Sequence, residues 1–126
     1  MERFLWICLA GALGTGTRYL VGIFVAERFG TSFPYWTLLV NLVGCFAISM
    51  VMQVALSSAD FSPTLRLALT TGFIGGLTTY SSFNYETTKL YYDGALGLAA
   101  LNFLATTLGG FVAGIAGLAA GRAIGG

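Results

Sequence analysis

Apolar residues fill four stretches of the chain, 4–26, 35–56, 64–92 and 95–120, and short polar connections separate them. About 20 mostly apolar residues cross a bilayer as a helix, so each stretch is long enough to span one. The connection from Glu27 to Phe33 with Pro34 suits a turn at the membrane surface, and Ser57, Ser58, Asp60, Ser62 and Pro63 carry the turn chemistry of the next. Asp93-Gly94 makes a tight turn before the last stretch. The first stretch follows a charged start, Met1-Glu2-Arg3, but is too long for a signal-peptide core and has similar runs after it, so it is expected to be a retained span.

The third stretch breaks the pattern. Its middle reads Gly75-Gly76-Leu77-Thr78-Thr79-Tyr80-Ser81-Ser82-Phe83-Asn84, poor material for an uninterrupted lipid-facing helix. A break near 75–79 is therefore expected, and non-helical backbone at membrane depth is tolerated only when buried in protein or lining a water-filled cavity. The alternative is a continuous helix whose small residues serve close packing. In the fourth stretch Gly110, Gly114, Gly117 and Gly121 fall at i, i+4, i+7 and i+11, one helical face on which backbones can approach closely. Gly11 and Thr15 offer a similar pair in the first.

Composition sharpens the picture. Hydrophobic residues make up 56% of the 126, charged ones 9%, and the mean hydropathy is +0.82. A soluble domain carries about 25% charged residues, so the expected class is an all-α membrane protein with four transmembrane helices per subunit and no separate catalytic domain. A net charge of +1 provides no basic surface, and no nucleic-acid partner is expected. Histidine is absent, which removes the usual general base and commonest metal ligand, and no serine–lysine dyad joins Ser81 or Ser82 to the peripheral Lys89, so an enzyme is not expected. Cys8 and Cys45 lie in apolar runs without metal or disulfide spacing and read as small buried hydrophobes.

Charge placement bears on topology. With four spans, Arg3, Arg66 and Arg122 fall on one side and Arg28 and Lys89 on the other, with Arg18 inside the first span. Excess Lys and Arg normally mark the cytoplasmic side, and here the count is three against two, or three against three with Arg18. Neither side is named as inside. Such a chain can insert both ways up, and oppositely oriented copies could pair as an antiparallel dual-topology homodimer.

Polar residues within spans need partners or a pathway. Arg18 either snorkels to an interface or supplies positive potential to a vestibule. Asn41, and Asn102 with Thr106 one turn further on, are either interhelical glue or pathway donors. Glu86 and Lys89, at i and i+3, can form an ordinary ion pair. Tyr80 and Phe83 share a face if a half-helix begins near Thr79, and their electropositive ring edges could stabilise a small anion. Donors from Asn41, Asn102, Ser81, Ser82 and Thr106 could replace part of its water shell without trapping it.

On Arg18, on Leu39-Val40-Asn41-Leu42-Val43-Gly44, and above all on TTGFIGGLTTYSSF from Thr70 to Phe83 followed by Glu86, the chain resembles the small bacterial fluoride channels of the Fluc family, also called CrcB. The resemblance covers the whole chain. It implies an antiparallel homodimer of four-helix subunits in the bacterial plasma (inner) membrane, with two pores that pass fluoride passively and exclude chloride. It implies that Tyr80 and Phe83 line the fluoride path beside Asn41, with Ser81, Ser82 and Thr106 on a polar track, Asn102 at its fourth-span polar position, and Arg18 in the vestibule. It also implies that backbone carbonyls of Gly75 and Thr78, from both subunits, hold a structural sodium ion. Tyr80 stands where the family most often has phenylalanine, Ser82 where threonine is frequent, and Asn84 where serine is frequent. The competing expectation is a small four-helix multidrug-resistance-type exporter, which should carry a carboxylate in the first span; 4–26 has none.

Overall fold

The computed structural model describes residues 1–125, all helix and connection with no strand among them. Helix α1 runs Glu2–Phe29, with Glu2 in its first turn and Arg28 in its last, each charge opposing the helix dipole at its end. Gly30, at φ 79, closes it with an N–H to Ala26 O of 2.9 Å. Both ends outrun the apolar stretch 4–26, because hydropathy marks the hydrocarbon layer whereas the helix continues into polar residues. Helix α2 spans Tyr35–Ser57, and α3 (Pro63–Leu67) starts with Pro63 in its first turn and Ser62 capping Leu65 N–H at 3.3 Å.

From α3 the chain passes into a π-helical segment, Ala68–Ile74, then a last α turn, α4 (Gly75–Leu77). Thr78 and Thr79 are extended (φ/ψ −91/156 and −152/113), and helix resumes as α5 (Tyr80–Tyr92). The Asp93-Gly94 turn, with Gly94 at φ 83, leads into α6 (Leu96–Gly125). Three helices, α1, α2 and α6, are long and apolar enough to cross a membrane. The third apolar stretch is divided among shorter elements.

Two close helix contacts organise the bundle. Helix α2 lies along α6, and α1 lies against the π segment and α4. On α6, a Cβ at Gly117 would run into the Phe46 carbonyl, and one at Gly121 would come within 2.6 Å of Gln53 Cβ. On the other side, a Cβ at Gly14 would meet the Phe73 carbonyl and one at Gly76 the Gly11 carbonyl. The glycine face expected to pack does so through Gly110, Gly117 and Gly121, all buried. Large apolar side chains on the outside of α1 and α6, Leu9, Leu13, Leu20, Phe111 and Ile115 among them, are more than half exposed. Such a continuous apolar exterior on helices of this length belongs to a membrane protein.

Candidate functional site

The extended pair at Thr78–Thr79 is the site's foundation. Two residues leaving the helix free the groups that the next turn would have bonded, and side chains take over that work. Asn41, buried on α2, donates from Nδ2 to Thr79 O (3.1 Å) and accepts Thr79 N–H at Oδ1 (2.8 Å). The amide thus pairs with Thr79 as a neighbouring strand would, which holds the chain open. Thr79 in turn caps α5, its Oγ1 accepting Ser82 N–H at 3.1 Å and bonding to Ser82 Oγ at 3.1 Å and Ser81 Oγ at 3.3 Å.

The aromatic pair follows directly. Tyr80 and Phe83 lie on one face of α5 with ring centroids 5.5 Å apart and an edge-on tilt of 65°. They differ in burial: Phe83 is 4% exposed and Tyr80 75%. A groove of about 400 Å³ runs between α2, the break and α6, lined by Asn41, Gly44, Cys45, Thr78, Thr79, Tyr80, Phe83 and Thr106. The free N–H groups and positive dipole end of α5 begin at this groove, a setting that favours an anion. Of the seven residues expected along an ion path, Asn41, Tyr80, Phe83 and Thr106 meet here.

Comparison with known proteins bears on this arrangement. Residues 5–118 match the family described as CrcB-like protein, Camphor Resistance (CrcB). The chain is 51% identical over 108 residues to the fluoride-specific ion channel FluC of Citrifermentans bemidjiense, covering 86% of this chain and 87% of that one. It is 46% identical over 124 residues to FluC of Sorangium cellulosum (97% and 96%) and 43% over 122 residues to FluC of Acidobacterium capsulatum (97% and 98%). The chain belongs to the CrcB family.

Ser81, Ser82, Asn102 and Arg18, which the CrcB resemblance also singles out, do not line this groove. Ser81 and Ser82 face a second hollow of about 440 Å³ with Trp36, Tyr85 and Glu86. Asn102 is enclosed on α6, 1% exposed, and donates from Nδ2 to Thr87 Oγ1 at 2.8 Å. Its Oδ1 and the hydroxyl of Thr106, one turn along, are buried without a partner among the described residues. Arg18 reaches from α1 to donate Nε to Gly76 O at 3.0 Å, so its charge is tied to the C-terminal end of α4. A helix end leaves its last carbonyls unbonded, and at α4 these begin with Gly75, which is exposed in the single chain.

The Glu86–Lys89 pair does not form. Lys89 Nζ instead bonds both carboxylate oxygens of Asp93 at 2.9 Å, one turn on, where the exposed helix end makes the i, i+4 reach easy. Glu86 turns inward to α2, where buried Thr37 donates to Oε2 at 2.9 Å and Oε1 has no partner among the described residues. Thr37 and Thr87 were not singled out in the sequence, and Glu86 was read there only as a partner for Lys89 and as part of the family motif. For Thr37 the signal was present: it stands four residues before Asn41, on the same face of α2. Cys8, read as buried, is exposed on the outside of α1, and Cys45 lines the groove.

Proposed function

We propose that the chain is a fluoride-selective channel that lets cytoplasmic fluoride leave a bacterial cell passively through its plasma membrane. One observation carries this reading: Asn41, Tyr80, Phe83 and Thr106, which the family resemblance assigns to an anion path, converge on one groove at the start of α5. Relatives bearing the name fluoride-specific ion channel match the chain over most of its length. Chemically the groove offers ring edges, hydroxyls and a helix N-terminus, and no fixed cation. These bind a small anion strongly enough to admit it and weakly enough to release it. Fluoride enters cells as a neutral weak acid, ionises at cytoplasmic pH and would leave here down its gradient.

In this reading the functional unit is an antiparallel homodimer with two pores. The near-balanced basic residues support insertion both ways up. Tyr80, which belongs to the aromatic pair yet is mostly exposed in one copy, and Gly75, also exposed, support a second chain that closes each groove. The Thr78–Thr79 interruption lies in mid-membrane, dividing the third span into two half-helices. Broken spans in transporters commonly aim helix N-termini at anions and helix C-terminal carbonyls at cations. The donor set fits sodium: carbonyl oxygens are the ligands a hard cation prefers, and the described residues hold no cluster of His, Cys, Asp or Glu that would select another metal. Gly75 and Thr78 of each copy would hold the ion through their carbonyls, and it would supply fixed positive charge that keeps the two breaks together.

The test is passive efflux of fluoride, then chloride, from liposomes containing the purified protein, followed with ion-selective electrodes. Fast fluoride release with negligible chloride release is expected. Well-folded protein that releases no fluoride would overturn the reading and reopen the exporter.

A further inference from the structure

Thr87 has no place in the ion path described above, yet it joins two elements of it. Its Oγ1–H donates to Phe83 O at 2.8 Å, and the same oxygen accepts Asn102 Nδ2 at 2.8 Å. A single hydroxyl thus links the buried aromatic of α5 to the enclosed amide of α6. The bond consumes an amide N–H, the group an anion would need, and leaves Asn102 Oδ1 without a partner in a position sealed from solvent. Thr106 Oγ1, one turn along the same face of α6, is equally unpartnered and also lines the groove. Two buried polar atoms left unsatisfied one turn apart on one helix call for a ligand or a rearrangement.

We propose that Thr87 is a positioning residue that lets the Asn102 amide turn over when an anion arrives; the proposal rests on the fluoride-channel reading. A hydroxyl both donates and accepts. When the amide turns by half a rotation, Oδ1 comes to Thr87 and accepts its O–H, while Nδ2 moves to where Oδ1 lies now. The Asn102–Thr87 bond is preserved in both arrangements. Phe83 O gives up its second donor but keeps the helix's own amide bond. In the turned state an Asn102 N–H and the Thr106 hydroxyl stand on one face as donors, and a fluoride ion leaving the aromatic pair meets both. Without the anion the amide returns to the arrangement in which Nδ2 is bonded to Thr87 and Oδ1 is enclosed. Valine has the shape of threonine and neither capacity. Serine has both.

The experiment compares the full-length wild type, Thr87→Val and Thr87→Ser in liposomes, measuring initial fluoride efflux across a range of internal fluoride concentrations, with chloride efflux and melting temperature as controls. Thr87→Ser should behave as wild type. Thr87→Val should keep its melting temperature but need about tenfold more fluoride for half-maximal efflux, the loss expected for one hydrogen bond in a water-poor site. If Thr87→Val does not fold, Thr87→Cys, similar in size but a weak donor, should show the same rise. Equal half-maximal concentrations for all variants would overturn the proposal and leave the channel intact. An equal loss in the valine and serine variants, parallel to a loss of melting temperature, would mark Thr87 as packing only and overturn it too. No fluoride efflux from the wild type would overturn the channel reading, and the proposal with it.

Discussion

Replacing Asn41 by leucine tests whether the side chain that faces the groove also holds the chain open there. Leucine keeps the volume of the side chain on α2 and removes both of its bonds to Thr79, the 3.1 Å bond to the carbonyl and the 2.8 Å bond from the amide. Thr79 then has a backbone donor and acceptor with no partner in a part-buried position. Each such group costs about 1–3 kcal/mol, so the loss is about 2–6 kcal/mol before any compensation. The apolar replacement recovers part of it, because the amide no longer needs partners of its own, and about 2–4 kcal/mol is expected. The assay is denaturant titration of the purified protein in detergent by circular dichroism, paired with amide hydrogen exchange. Exchange should quicken at Thr79 and through the first turn of α5 and stay unchanged where α2 meets α6. A variant within about 0.5 kcal/mol of the parent, the range of an inconsequential surface change, would refute the claim that Asn41 braces the interruption. So would unaltered exchange at Thr79.

Three further outcomes are expected. Phe83→Ile should collapse fluoride efflux while the protein stays folded, since it removes the buried ring of the aromatic pair and keeps an apolar side chain; undiminished efflux would count against the aromatic path. Gly117→Ala should destabilise by about 1–3 kcal/mol because its methyl meets the Phe46 carbonyl, whereas Gly97→Ala, with open space at its Cβ, should be neutral or gain up to about 1 kcal/mol in the same titration. Cysteines placed at residue 2 and labelled with an impermeant reagent in intact cells should react in about half of the molecules if the near-balanced charges leave orientation open; labelling of all or none would refute dual insertion.

Much of the architecture was legible because hydrophobic length, glycine spacing and turn residues each act locally. The glycines of α6 sit at a spacing that only a close neighbour uses, and α2 is that neighbour. Interruption after Leu77 was also foreshadowed, since paired glycines and consecutive hydroxyls weaken a helix and supply the caps to restart it, as Thr79 does for α5. Side-chain partnership was not legible in the same way. Glu86 is as close in sequence to Lys89 as a pair needs to be, yet Lys89 takes Asp93 at the exposed end and Glu86 takes Thr37 from another helix. Local spacing states which pairs can meet, and only the packing of α2 against α5 decides which do. The same limit explains Asn41. Its residue type and depth mark it as polar and buried, and a path donor and a brace look identical at that level; the two bonds to Thr79 make it a brace with one N–H to spare. As a fluoride path the groove would need donors, yet the extended Thr78–Thr79 pair takes them from Asn41 to satisfy its own backbone. In the fluoride-channel reading, Asn41 and Thr79 serve the backbone, and the Thr106 hydroxyl, buried without a partner among the described residues, and the ring edges of Tyr80 and Phe83 are left for the ion.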